Sequence, residues 1–188
     1  MTVKLVVIGA SQGGLEALSV VLGALPYDFA APILVVRHQA ADASNYVVQA
    51  LSDDCQMAVK MAQANDQVVS GTVYLAPPDR HLLVTGRGRL GLSDGVKIKY
   101  SRPAINPLFT SAAKIYGQGV LAVMLTGAND DGTQGLLDVQ AQGGIIVVQD
   151  PASAEAKAMP LAALSATTPD YVVELSQIGP LLWDLVRA

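Results

Sequence analysis

Val3-Lys4-Leu5-Val6-Val7-Ile8-Gly9-Ala10-Ser11-Gln12-Gly13-Gly14-Leu15 sets the fold class. Val3 to Ile8 is a largely β-branched and aliphatic run of the kind that fills a parallel strand buried on both faces. It ends in a glycine-rich turn, and a helical pattern follows at once. Leu15, Leu18, Val21, Leu22 and Leu25 recur at three- and four-residue spacing until Pro26 stops them.

Outward from that unit the alternation continues. Pro32 to Arg37 is a second buried strand, and a helical stretch from about Ala43 to Leu51 follows His38. The middle changes character. Short strands are expected at Thr72 to Leu75, His81 to Thr85, Arg89 to Leu92 and Val96 to Tyr100, separated by Pro77-Pro78, Gly86, Gly88 and Asp94-Gly95. Asp-Gly between two such runs is a strong hairpin signal. Beyond it come a helix at Pro107 to Tyr116, a buried strand at Gly119 to Leu125, the turn Thr126 to Gly132 and a helix carrying Leu136, Leu137 and Val139. A strand at Ile145 to Val148, a last strand at Tyr171 to Glu174 and an amphipathic helix from Ile178 to Val186 complete the chain. The pattern predicts a doubly wound, mostly parallel α/β sheet flanked by helices, with the β-hairpin-rich middle segment as an insertion or an antiparallel edge. No internal repeat or linker is visible, and one domain is expected over residues 1–188.

A chain of 188 residues with 51% apolar and 15% charged residues is large enough for a sizeable core and too apolar for intrinsic disorder. Apolar runs such as Phe29 to Val36, interrupted by Pro32, fall short of the ~18 residues of a transmembrane helix, so no membrane insertion is expected. Leu5 to Ile8 is too short for a signal-peptide core, and a cytoplasmic protein is expected. The 12 Lys and Arg are scattered and outnumbered by 16 Asp and Glu, which leaves no footprint for nucleic acid. One cysteine, Cys55, and two histidines, His38 and His81, leave too few ligands for a usual zinc site, so no metal and no cofactor are expected.

In doubly wound sheets ligands lie outside the carboxyl ends of the strands, where strand order reverses. Ser11 follows the first strand, His38 the second, and Asp130-Asp131 the strand Gly119 to Leu125: a hydroxyl, an imidazole and a carboxylate are the parts of a nucleophile, a base and an orienting group. Gly9-Ala10-Ser11-Gln12-Gly13-Gly14 has two readings. As a dinucleotide fingerprint it puts Ser11 where a glycine must let the pyrophosphate approach. As a nucleophile turn it matches G-x-S-x-G and exposes the hydroxyl at the positive end of a helix, while Ser11 as a plain N-cap is an equal alternative. Either aspartate fits as a helix N-cap, and Gly127 and Gly132 suggest a backbone that something approaches closely. His81 fits a loop hydrogen-bonding role, and Cys55 carries none.

Val7 to Gly14, Val36-Arg37-His38-Gln39, Tyr74 to Leu82, Arg102-Pro103 with Leu108-Phe109, and Leu125 to Gly132 together resemble, in order, the catalytic domain of the CheB family of chemotaxis protein-glutamate methylesterases. The likeness runs from about Val6 to about Val173. It implies a serine hydrolase that removes methyl groups from glutamate methyl esters on the cytoplasmic part of chemoreceptors, with methanol released, and that also deamidates receptor glutamines. The family's nucleophile falls on Ser11, its histidine on His38 and its aspartate on Asp131 rather than Asp130. The order Ser, His, Asp differs from that of α/β-hydrolases.

An oxyanion needs donors, and backbone amides near Gln12 and Ala128, with Gly127 beside them, are the candidates. The family usually carries Thr at the Gln12 position and Met at the Ala128 position, departures that bear on substrate more than on reaction type. The family also places a receiver domain before the esterase, whereas Met1 here stands just before the first strand. The expectation is a stand-alone or excised esterase with a separate regulatory partner. Two other classes stay open from the residues alone. A nucleotide-binding oxidoreductase would meet an NADP 2′-phosphate at Arg37, and an inactive interaction module would keep the fold without the chemistry.

Overall fold

The computed structural model describes residues 2–43 and 46–188. The chain runs β1 (Leu5–Ala10), α1 (Gly14–Gly23), β2 (Ile33–Arg37), α2 (Tyr46–Asp54), β3 (Ala58–Met61), β4 (Thr72–Leu75), β5 (His81–Gly86) and β6 (Arg89–Ser93). It continues through α3 (Ile105–Tyr116), β7 (Val120–Met124), α4 (Thr133–Ala141), β8 (Ile145–Gln149), α5 (Ala158–Ala166), β9 (Tyr171–Val173) and α6 (Leu175–Arg187). Among the described residues seven strands form one parallel sheet in the order β3-β4-β2-β1-β7-β8-β9. The chain builds one half of the sheet from β1 outward, returns to the other side of β1 and builds the second half from β7. Strand order therefore reverses between β1 and β7, the expected place for a site.

The two-residue alternation of the central strands divides their side chains between two cores. Val6, Ile8, Val35 and Val123 face one way, onto Leu18, Leu22, Leu51 and Leu182 of α1, α2 and α6. Val7, Val36 and Met124 face the other way, onto Ile105, Phe109, Leu136 and Met159 of α3, α4 and α5. Layers on both faces explain why β1 is buried at all six residues and why its first polar side chain, Ser11, comes only as the chain leaves the sheet. The turn there needs Gly13, which caps α1 at φ 72°. A side chain there would be strained, and its Cβ would also lie 2.6 Å from Glu155 Oε2.

The doubly wound parallel architecture is as expected, and the strands flanking the site match expectation to within about two residues. Ser44 and Asn45, within the helix expected from Ala43, lie outside the described residues, as does Met1. The middle is corrected in three ways. Thr72–Leu75 is no antiparallel edge but a parallel member of the main sheet, between β3 and β2. The edge strand β3 is additional, as is the helix α5 beyond the middle, between β8 and β9. The antiparallel hairpin joins β5 to β6 across Arg87-Gly88, one strand earlier than Asp94-Gly95, and Val96 to Tyr100 is not a strand. Side chains take the carbonyls a ladder would need there. Arg102 Nη1 donates to the Asp94 and Gly95 carbonyls at 2.7 and 2.9 Å, and His81 Nε2 donates to that of Val96 at 2.9 Å. Lys99 and Tyr100 then take φ of 48° and 64°, closing a loop rather than extending a strand.

Candidate active site

Backbone hydrogen bonds carry the sheet one rung past its strands and fix the site. Leu125 N–H donates to the Gly9 carbonyl and Ser11 N–H to that of Thr126, both at 2.9 Å, while His38 N–H donates to that of Ala10 at 3.0 Å. Ser11 and His38 thus stand side by side on the rim of the sheet. His38 Nδ1 lies 3.1 Å from Ser11 Oγ, and His38 Nε2 lies 2.7 Å from Asp131 Oδ2. An ionised carboxylate only accepts, so Nε2 holds the proton and donates it to Asp131, leaving Nδ1 with the lone pair that faces the hydroxyl.

Asp131 is fully buried, which would be costly for an isolated carboxylate. Its charge is met by the amides of Ile105 and Asn106, which donate at 2.6 and 3.1 Å from the first turn of α3. Those amides have no acceptor within the helix, and the positive end of its dipole lies there. Gly132, at φ 95°, lets α4 start directly behind, and a Cβ there would fall 2.7 Å from Ile105 Cγ2. Asp130 has the opposite environment. It is exposed, its carboxylate pairs with Lys99 Nζ at 3.0 Å, and that hydrogen bond holds its carboxyl below the ordinary range. Of the two aspartates left open by the residues, Asp131 reaches His38.

The amides of Gln12 and Ala128 have no acceptor among the described residues, whereas the Gly127 amide donates to the Ala156 carbonyl at 3.0 Å. The Gly127 amide is therefore committed within the turn, and the Gln12 and Ala128 amides are the ones left open. Thr126 links the two amide-bearing turns. Its hydroxyl donates to the Gln12 carbonyl at 2.9 Å and accepts from Ala156 N–H at 2.8 Å, and its own amide donates to the Oε1 of buried Gln149 at 2.8 Å. Thr126 and Gln149 escaped the sequence reading. The available signal was a glutamine ending the apolar run Ile145 to Val148.

His81 is buried and makes no hydrogen bond to Ser11, His38 or Asp131. Its Nδ1 accepts from Ala104 N–H at 3.1 Å while Nε2 donates to Val96, so both nitrogens are used and the expected loop role holds. Burial pushes the Cys55 thiol up, which makes it a poor nucleophile.

A cleft of about 780 Å³ opens over Ser11, Gln12, His38 and Ala128. A second cavity of about 510 Å³ lies by Lys4, Arg87 and Gly119, at the amino ends of the strands and away from these groups. Among the described residues no cluster of His, Cys, Asp and Glu is placed to hold a metal ion, and no helix is long and apolar enough to cross a membrane. The hydroxyl, imidazole, buried carboxylate and two free amides on one rim can perform acyl transfer.

Residues 6–182 match the family model described as CheB methylesterase. The fold superposes on the crystal structure of the Thermotoga maritima CheB methylesterase catalytic domain with a TM-score of 0.93 and 34% identity, covering 99% of this chain and 100% of that one. A relative from Leptospira interrogans is 40% identical over 181 residues, 96% of this chain and 94% of its own length. The protein-glutamate methylesterase/protein-glutamine glutaminase 2 of Anaeromyxobacter dehalogenans is also 40% identical, over 98% of this chain but 54% of its own length. The NADP-binding alternative finds no support in these likenesses.

Proposed function

The chain belongs to the CheB methylesterase family, and from that premise we infer that it is a serine-type protein-glutamate methylesterase acting on methylated chemoreceptors. The glutaminase activity in its relatives' names is the same chemistry applied to an amide. The cytoplasmic part of the receptor as substrate, a cytoplasmic location and a separate regulatory partner are finer readings that rest on the family resemblance. The observation that carries the reaction is the contact of His38 with Ser11 on one nitrogen and Asp131 on the other.

His38 Nδ1 takes the Ser11 proton as Oγ attacks the ester carbonyl, and Asp131 steadies the imidazolium through Nε2–H. The carbonyl oxygen becomes an oxyanion that the Gln12 and Ala128 amides face, each such donor worth roughly 3 to 4 kcal/mol in the transition state. The tetrahedral intermediate collapses, His38 returns the proton to the methoxy oxygen and methanol leaves. Water, deprotonated by His38, then attacks the Ser11 acyl-enzyme, and His38 returns that proton to Ser11 Oγ as the glutamate carboxylate is released. The test is methanol release from methylated receptor. Wild type is expected to release methanol and Ser11→Ala to release none, with its fold intact by circular dichroism; full activity in Ser11→Ala would overturn the assignment.

A further inference from the structure

Arg37 ends β2 and directly precedes His38. Its stem runs across the start of α1, where a Cβ on Gly14 would come 3.3 Å from Arg37 Cγ. Nε is buried without a hydrogen-bond partner, and among the described residues no carboxylate pairs with the guanidinium. Arg102 shows the ordinary case, with its guanidinium shared between Asp79 and two carbonyls. Arg37 is instead half-buried, with Nε enclosed and no partner for the guanidinium among the described residues, and burial pushes its pKa down. A guanidinium whose outer nitrogens have no protein acceptor among the described residues is open to one brought by a ligand.

Arg37 lines the cleft that holds Ser11 and His38, and it is the one lysine or arginine among the described lining residues, against Glu16, Asp54 and Glu155. We propose that Arg37 is a specificity-determining residue that binds a carboxylate on the substrate protein close to the esterified glutamate. The Nη–H groups, which unlike Nε are not enclosed, can meet a carboxylate in two-point geometry. The acidic walls repel any substrate carboxylate that does not land on Arg37, so the cleft admits an acidic segment in one register. This inference rests on the esterase reading and names what that site selects.

The test uses peptides with one glutamyl γ-methyl ester flanked by glutamates, with twins carrying alanine or lysine at the flanks. Wild type is expected to favour the glutamate peptide over the alanine peptide roughly 10- to 100-fold in kcat/KM, mostly through KM. Arg37→Gln should bring that ratio to one or below, and Arg37→Lys should restore only part of it. Equal ratios in wild type and Arg37→Gln would overturn the proposal and leave the esterase standing. If wild type hydrolyses no peptide, methanol release from methylated receptor still tests the esterase reading, and fluorescence anisotropy of labelled peptides on Ser11→Ala and on Ser11→Ala/Arg37→Gln decides the role of Arg37. Preference for the acidic peptide in the first alone supports Arg37 as its receptor, and equal binding rejects it. Arg37→Gln should melt no lower than wild type; a marked fall in both Arg37 variants would make the residue structural and sink the proposal.

Discussion

Two histidines serve two regions built from the same kinds of group. Around His38 the groups stay open to the cleft: a hydroxyl held only by the imidazole lone pair, and two amides with no acceptor among the described residues. Around His81 everything is consumed. Both ring nitrogens are held by backbone, Arg102 joins Asp79 to the Asp94–Gly95 carbonyls, and Lys99 closes on Asp130. A polar cluster whose members satisfy one another braces a loop, and one that stays incomplete can accept a substrate.

That contrast breaks most visibly at its reactive end. Ser11→Ala and His38→Ala should each lower kcat for methyl ester hydrolysis by about 10^5-fold or more with circular dichroism unchanged. Asp131→Asn should cost about 10^4-fold, because an amide in that place no longer holds the proton on Nε2. At the other histidine the sign of the experiment changes. His81→Phe leaves the buried Ala104 N–H without an acceptor and should cost about 1–3 kcal/mol of stability, read as a lower denaturation midpoint. Activity per folded molecule should fall far less than for His38→Ala, and an equal fall would erase the distinction between the regions.

The smallest effect is expected at Asp130. Lys99 lowers its carboxyl from the ordinary 3.8, so the pair's contribution is present above that value and disappears as pH falls through the lowered one. Both partners are about half exposed, and solvent screening keeps such a pair to about 1 kcal/mol or less. Asp130→Asn should therefore lose a small stability increment at neutral pH and none at strongly acid pH, checked by urea denaturation at the two conditions.

The sheet around the site was legible because its strands are buried on both faces and so read as unbroken apolar runs. β3 was not, since Lys60 turns outward to Asp66 from a half-exposed edge. α5 has apolar residues around most of its circumference and so lacks the helical period that marked α1. Asp94-Gly95 gave a hairpin signal that Arg102 and His81 overrule from a distance no local pattern contains. At the site, Ser11 and His38 could be picked out as polar residues at strand ends. The family likeness points to Asp131 rather than Asp130, but the physical reason is the amides of Ile105 and Asn106, which any residue but proline would supply. The same is true of the Gln12 and Ala128 donors, whose amides have no acceptor among the described residues.

The adjacency of β1 and β7 has a consequence for how the chain comes alive. Those strands pair across everything from Ser11 to Gly119, so their junction closes a very long loop and belongs among the slow, entropically demanding contacts of folding. During synthesis the hydroxyl and the imidazole emerge early, while the carboxylate and the Ala128 amide lie beyond β7. With the residue roles proposed above, a nascent chain is chemically silent until its last central strand docks, and recovery of esterase activity on refolding should report that closure rather than collapse of either half.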